Sequence, residues 1–205
     1  MPSGLSTLSL SLVLVLLGVP GVWLASPQAA PAAQAPTASA APTVVMKTSL
    51  GEIRIRLHRD KAPATVENFL GYVSRKFYDG TVFHRVIDGF MVQGGGFTAD
   101  LGRKPTSAPI ALETQAGLKN LRGTLAMART NDPNSATSQF FINVVDNAAL
   151  DPKPGGAGYA VFGEVIAGMD VVDKIRAVPT TTKGGMRDVP VEPVVIESVR
   201  LAEGA

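Results

Sequence analysis

The sequence predicts a mainly β fold: a closed antiparallel eight-stranded barrel flanked by two short helices. Short β-like runs recur along the chain, and Gly, Pro, Asn and Asp separate them. Only two stretches show a helical pattern, one after the second run and one near the end of the chain. Many short strands with two short helices favour a barrel with helices packed against it.

The first two predicted strands, VVMKTS and EIRIRL, flank a tight turn at Leu50-Gly51. In the second strand Ile53, Ile55 and Leu57 alternate with charged residues, so one face is buried and the other is wet. The six remaining predicted strands span residues 81–87, 90–93, 124–129, 140–145, 159–166 and 194–201.

The first helical stretch covers residues 62–74, where Pro63 suits the first turn. Its apolar residues recur at spacings of three and four, which is typical of an amphipathic helix: Val66, Phe69, Leu70 and Val73. The second covers residues 169–178, with Met169, Val172 and Ile175 on one side.

The first 46 residues differ from the rest because they contain no Asp, Glu, Lys or Arg. Residues 8–25 are strongly apolar but short for a bilayer span, which needs about 20 apolar residues. Residues 26–43 contain only Ala, Pro, Gln, Ser and Thr, a composition typical of a flexible tether. We therefore predict a signal peptide or N-terminal anchor at 1–25, a disordered linker at 26–43 and a folded domain at 44–205.

The start of the chain follows the order of a secretory signal peptide, although its first residues lack Lys and Arg. Three interpretations stay open: a cleaved signal, an uncleaved membrane anchor, and a cytosolic tail or misassigned start. The first two place the folded domain outside the cytoplasmic membrane and predict a periplasmic or exported protein. Contact with the membrane is expected only if the segment is uncleaved.

Several chemistries lack the residues that they need. The chain has no Cys, which excludes disulfides and thiol nucleophiles, and only two His, His58 and His84. No metal-ligand spacing and no phosphate-binding glycine motif is visible, so no metal or cofactor is expected. His84 alternates with Phe83 and Arg85, and we interpret it as structural rather than as the base of a triad. A net charge of +2 without a dense Lys/Arg cluster argues against a nucleic-acid partner.

One arginine, Arg85, lies in the otherwise mostly apolar run FHRVIDGFMVQGGGF at residues 83–97. An apolar surface with one cation suits a reaction that makes no bond, namely rotation about an X-Pro amide. This rotation has a barrier of about 18–20 kcal/mol because it destroys amide resonance. A pocket can hold the proline ring while a fixed cation stabilises the twisted amide. On spacing alone Arg85 could equally be a surface strand arginine, and glycines 94–96 are expected to allow a bend or a close backbone approach.

Three stretches together resemble the signatures of cyclophilin-type peptidyl-prolyl cis-trans isomerases. They are FHRVIDGFMVQGGGF, GTLAMARTNDPNSATSQFFINV at residues 123–144 and YAVFGEVIAGMDVVDKI at residues 159–175. The resemblance runs from about Val44 to Leu201 and looks closest to the exported, periplasmic cyclophilins of Gram-negative bacteria. It implies an enzyme that accelerates X-Pro isomerisation in the folding of exported proteins, without a covalent intermediate.

The resemblance assigns roles by matching position. Arg85 takes the place of the catalytic arginine, and Gln93 would help to hold it. The walls of the proline pocket correspond to Phe90, Met91, Phe141 and Leu150. The residues beside the bound peptide correspond to Gln93, Gln139, Ala128, Arg129 and Thr130, while Tyr159 stands where many relatives have histidine. Without the resemblance, Phe90, Met91 and Phe141 could be ordinary barrel core.

Two features depart from the family pattern. Many relatives carry tryptophan at the position of Ala149, and the resulting loss of a large aromatic predicts weak or no cyclosporin binding. The loop at residues 98–118 does not align with longer family loops, so no site residue is assigned from it. The expected partners are proline-containing polypeptides, and a monomer is expected. An alternative function is a proline-peptide-binding or chaperone module with incidental or no catalysis.

Overall fold

Strands make up most of the regular structure, which a computed structural model describes for residues 41–114 and 117–202. The strands are β1 (Thr43–Thr48), β2 (Gly51–Leu57), β3 (Thr81–Ile87), β4 (Met91–Thr98), β5 (Thr124–Met127), β6 (Phe140–Asn143), β7 (Val161–Ala167), β8 (Thr180–Lys183), β9 (Met186–Pro190) and β10 (Val195–Leu201). The helices are α1 (Pro63–Ser74), a short 3-10 helix (Ala148–Leu150) and α2 (Met169–Arg176).

Eight of these strands close into an antiparallel barrel in the order β1-β10-β3-β4-β6-β5-β7-β2. This confirms the predicted fold class. The register across four neighbouring strands places particular residues side by side. Arg85 on β3 pairs with Gln93 on β4, Gln93 pairs with Phe141 on β6, and Phe141 pairs with Ala126 on β5. One level of the barrel therefore carries several of the predicted site residues.

The barrel core follows from the alternation of apolar residues in the strands. Ile53, Ile55 and Leu57 on β2 are fully buried, while the charged residues between them are exposed. A cluster of buried aromatic rings fills the space between the strands and α1, with ring centroids 5.1–5.8 Å apart: Phe69, Tyr78, Phe140 and Phe162. Each such ring contributes about 1.5–3 kcal/mol by leaving water.

Both helices form where their patterns predicted. Pro63 occupies the first turn of α1, where its missing N–H costs no hydrogen bond. In α2, Asp170 lies in the first turn and Lys174 and Arg176 lie in the last, an order that the helix dipole favours. Their apolar stripes join the barrel core through the buried side chains of Val66, Phe69, Val73, Val172 and Ile175.

Some predicted boundaries were wrong. Strand β4 continues through the glycines to Thr98, beyond the predicted end at residue 93. Strands β5 and β6 end two residues earlier than expected, at Met127 and Asn143. The sequence TTTKGGMRDVP forms an unpredicted hairpin of β8 and β9, which is a separate two-stranded sheet. All four residues of β8 are exposed, so no apolar alternation marks it.

The predicted signal peptide or anchor at 1–25 lies outside the described residues, as does nearly all of the predicted linker at 26–43. Strand β1 begins at Thr43, the last residue assigned to the linker. Within the described ranges, no helix has the length and apolar character needed to cross a membrane.

Candidate active site

The predicted site residues surround two adjoining cavities. A cavity of about 310 Å³, here called the proline pocket after the role that the family resemblance implies for its walls, is lined by Arg85, Phe90, Met91, Gln93, Ala128, Arg129, Phe141, Leu150 and Tyr159. The two remaining predicted residues, Thr130 and Gln139, line a neighbouring cavity of about 260 Å³ that shares Gln93, Ala128 and Arg129 with the first. The fold thus brings together residues from five separate parts of the chain.

The floor of the proline pocket is a second apolar layer, distinct from the barrel core. On β6, Phe140 and Ile142 belong to the core, whereas Phe141 between them points to the opposite face. The second layer consists of buried Met91, Ala126, Phe141 and Val161, covered in part by Phe90, Leu150 and Tyr159. Met91 and Phe141 are therefore not ordinary barrel core, which was the alternative left open by their spacing.

Arg85 lies at the rim of this pocket. It is the exposed residue of β3, next to buried His84 and Val86, and 44% of its side chain is exposed. Its Nε lies 3.9 Å from Oδ2 of Asp188 on β9. The guanidinium is a permanent cation with several N–H donors, beside an apolar floor that offers few competing acceptors.

The polar side of the pocket is held by a pair of glutamines. The Gln93 side-chain amide donates a 3.0 Å hydrogen bond to Oε1 of Gln139, and the backbone of Gln93 lies opposite Arg85 in the register. A Cβ atom on Gly96 would lie 2.5 Å from Cγ of Gln139, so only glycine leaves room for this side chain. Gly95 has a φ of +80° and packs against the rings of Tyr78 and Phe140. These contacts confirm the close backbone approach predicted for the glycines.

The segment 128–130 forms one edge of the site and is fixed at several points. The backbone N–H of Ala128 donates to the Gln139 carbonyl at 3.0 Å. The Arg129 guanidinium donates to the Gly158 and Thr130 carbonyls and stacks 4.6 Å from the centre of the Tyr159 ring. Tyr159 in turn meets Phe141 edge to face, with centroids 5.6 Å apart. Contacts within the protein therefore hold this edge in place.

The opposite edge contains the 3-10 helix, which a buried amide network supports. The Asn147 side chain donates to the Phe90 carbonyl at 2.8 Å and to Oδ1 of Asn143 at 2.7 Å. The backbone N–H and side chain of Asn120 donate to Oδ1 of Asp151 at 2.7 and 3.1 Å. These bonds set the positions of Phe90 and Leu150, which bracket the pocket. Ala149 is exposed on the same helix.

His84, beside Arg85, is not placed as a base. It is 4% exposed and packs 4.6 Å from the Phe97 ring, measured between ring centroids. Its pKa is lowered to about 4, mainly by burial and to a smaller extent by the nearby Arg85 charge. Its imidazole is therefore neutral at pH 7. The structural role predicted for this residue agrees with that environment.

Sequence reasoning did not identify every residue that lines these cavities. In the second cavity they include Phe97, Arg103, Ser135 and Thr137, of which Arg103 lies in the loop from which no residue was assigned. Asp188 lies outside these two cavities but 3.9 Å from Nε of Arg85, and it was missed because it lies on the unpredicted hairpin. In the part of the chain that the structure describes, no group of three or more His, Cys, Asp or Glu is placed to hold a metal ion.

A closed barrel that carries an apolar pocket with an arginine at its rim is the arrangement that the family resemblance implies. A family model described as cyclophilin type peptidyl-prolyl cis-trans isomerase/CLD matches residues 43–201. The chain belongs to this family. It is a cyclophilin-type peptidyl-prolyl cis-trans isomerase, as its sequence resemblance predicted.

Relatives of known description agree with this assignment. The chain is 59% identical over 158 residues to a peptidyl-prolyl cis-trans isomerase of Acinetobacter baylyi, covering 77% of this chain and 84% of the relative. It is 56% identical over 163 residues to peptidyl-prolyl cis-trans isomerase B of Escherichia coli K12, covering 78% and 99%. A crystal structure of a Cryptosporidium parvum cyclophilin, determined in the presence of the dipeptide Ala-Pro, superposes with a TM-score of 0.66. That match is 26% identical and covers 79% of this chain and 99% of the other.

Proposed function

We propose that the chain catalyses X-Pro isomerisation by electrostatic stabilisation of the twisted amide in the proline pocket, with Arg85 as the catalytic residue. One observation carries this proposal: the Arg85 cation lies at the rim of a pocket whose floor is formed by buried Met91 and Phe141. An apolar floor retains the proline ring, while the rim cation reaches the amide that links the ring to the preceding residue.

The energetic requirement on the site is moderate. Amide rotation has a barrier of about 18–20 kcal/mol, and a 10⁵-fold acceleration needs about 7 kcal/mol of stabilisation specific to the transition state. Loss of resonance changes how the amide nitrogen and the amide oxygen accept hydrogen bonds, compared with the planar amide. A fixed donor cation placed for that state stabilises it more than either planar isomer.

The prearranged edges of the pocket supply orientation. The segment 128–130 offers backbone groups held by the Gln139, Thr130 and Gly158 contacts, and these align the peptide beside the pocket. The Gln93–Gln139 pair provides further donors and acceptors next to Arg85. When one part of the peptide is held rigidly while the other rotates, the binding free energy contributes to stabilising the twisted amide rather than only the bound ground state.

Exchange spectroscopy on a short Ala-Pro-Phe peptide tests this mechanism. We expect rapid cis–trans exchange with the parent chain and a large loss of exchange with Arg85→Ala, at little change in peptide affinity. Arg187→Ala, an exposed arginine on β9, is the matched control and should keep the parental rate. Peptide binding without accelerated exchange by the parent would favour the alternative, a proline-peptide-binding module.

We further propose that the clients are exported proteins and that the folded domain functions outside the cytoplasmic membrane. The apolar residues 8–25 and the absence of formal side-chain charge before Lys47 support this. X-Pro isomerisation takes tens of seconds and can limit folding in any compartment. The proteins on which this enzyme acts are therefore those that fold in the same compartment. Cell fractionation with mass spectrometry of the mature N-terminus tests the proposal. A full-length protein found only in the cytoplasm would contradict it.

A further inference from the structure

Strand β9 of the hairpin lies beside β3, which carries Arg85, and a further cavity lies at this junction. This cavity of about 240 Å³ is lined by His84, Arg85, Met186, Arg187 and Asp188. Arg85 lines both this cavity and the proline pocket. Its long side chain therefore runs between two open spaces, and apolar packing alone leaves it several rotamers.

Asp188 is the residue of the hairpin that meets the Arg85 charge. Its Oδ2 lies 3.9 Å from Nε of Arg85, within ion-pair range and beyond the length of a direct hydrogen bond. Asp188 has a φ of +62°, a left-handed conformation that Asp and Asn adopt more readily than most residues. A contact at Nε leaves the two terminal nitrogens of the guanidinium to donate elsewhere.

We propose that Asp188 is a positioning residue that holds the Arg85 guanidinium toward the proline pocket; the proposal rests on the catalytic role proposed for Arg85. Restricting the arginine before the substrate arrives reduces the entropy lost in the transition state. The same carboxylate also offsets part of the Arg85 charge, an effect that acts in the opposite direction. Because ion pairs between exposed groups are weak, removing the Asp188 carboxylate should reduce kcat modestly and should not abolish activity.

Asp188→Asn is the informative variant, since it removes the charge and keeps both the shape and the tolerance of a left-handed conformation. We expect kcat for an uncharged X-Pro peptide to fall about two- to five-fold, with KM nearly unchanged. The difference from the parent should shrink in 0.5 M salt, which screens exposed charges. Arg187→Gln, on the same strand and lining the same cavity, should leave kcat unchanged.

Two further measurements separate positioning from a purely structural role. In nitrogen-15 NMR, the Nε–H resonance of Arg85 should shift and broaden in Asp188→Asn but not in Arg187→Gln. In an Arg85→Ala background, adding Asp188→Asn should cause no further loss of activity. Asp188→Gly, which also suits a positive φ, repeats the test if the Asn variant folds poorly.

The proposal is overturned if Asp188→Asn keeps or raises kcat, if the Arg85 resonance is unmoved, or if the loss persists in the Arg85→Ala background. Failure of the proposed function gives a different result. In that case Arg85→Ala itself would retain parental activity, whatever the behaviour of the Asp188 variants.

Discussion

Arg85 and His84 are neighbours on β3, yet they differ in charge at neutral pH. The His84 imidazole is buried and its pKa is lowered to about 4, while Arg85 is half-exposed and permanently charged. Both side chains line the cavity beside the hairpin of β8 and β9, but the imidazole packs against the Phe97 ring whereas the guanidinium also reaches the proline pocket. At the scale of single residues, the site therefore contains a fixed cation and a neutral imidazole rather than an acid–base pair.

This contrast predicts the pH dependence of catalysis. Between about pH 6 and pH 9 arginine stays protonated and His84 stays neutral, so kcat/KM for an uncharged peptide should be nearly flat. Exchange rates measured across that range check the prediction. A bell-shaped curve would indicate general acid–base chemistry instead.

Ala149 predicts weak cyclosporin binding. It is exposed on the 3-10 helix next to Leu150, which lines the pocket, and its methyl group offers no aromatic surface at that point. Ala149→Trp should increase cyclosporin affinity at least ten-fold, since a buried aromatic contact contributes about 1.5–3 kcal/mol. Calorimetry on both forms checks this, with Ala148→Trp on the same exposed helix as the control. A nanomolar dissociation constant for the parent would contradict the prediction.

Among the structural elements, the short 3-10 helix positions the pocket more directly than either α-helix does. It carries Leu150, and the Tyr159 backbone N–H donates to the Leu150 carbonyl at 3.0 Å. Asn147, just before the helix, links it to Phe90 at the opposite end of the wall. One buried amide therefore links two walls of the pocket.

Asn147→Ala should consequently affect both stability and binding. The substitution leaves the buried Asn143 amide oxygen without this donor, at a cost of about 1–3 kcal/mol, whereas the Phe90 carbonyl keeps the hydrogen bond from the Val144 N–H. We expect the free energy of unfolding to fall by that amount in urea titrations and KM for a proline peptide to rise several-fold. Asn131→Ala at an exposed position serves as the control. Equal KM values for parent and variant would show that the network does not position the pocket.

The same elements show what the sequence predicts and where it fails. Strand β2 alternates and β6 begins with three apolar residues, so the pattern of such strands is visible before any contact is known. Hairpin β8–β9 has no such signal, because β8 is wholly exposed. The contact of the hairpin with the site is also invisible in the sequence, because Asp188 meets Arg85, which lies about a hundred residues earlier. Similarly, glycines 94–96 predicted close approach, but only the structure shows that the approaching groups include Gln139 and three aromatic rings.

At the scale of the whole molecule, closure of the barrel gives β4, β5, β6 and β7 two apolar faces. The inner face packs against α1 and the aromatic core, and the outer face forms the pocket floor. A sequence shows that both faces are apolar but not which residues converge, because Met91, Ala126, Phe141 and Val161 come from four separate strands. The family resemblance identified Met91 and Phe141 of this set, and the other two became apparent only from the register.

The stability of the whole domain should fall in mild acid because of His84. Its folded pKa of about 4 lies below the ordinary value of 6.5, so the unfolded chain binds a proton between these values and the folded chain does not. His84 therefore does not reduce the free energy of unfolding above about pH 6.5. As the pH falls toward 4, it reduces that free energy by about 3 kcal/mol in total. The pKa values of Asp79 and Asp173 are lowered by their hydrogen bonds to arginines, so the stability that these two carboxylates contribute is lost at a lower pH than the His84 effect.

The variant His84→Phe keeps an aromatic ring against Phe97 and removes the titrating group. Urea titrations between pH 7 and pH 4 should show that its free energy of unfolding changes much less with pH than that of the parent. An equally steep decline in both proteins would mean that groups other than His84 control acid stability.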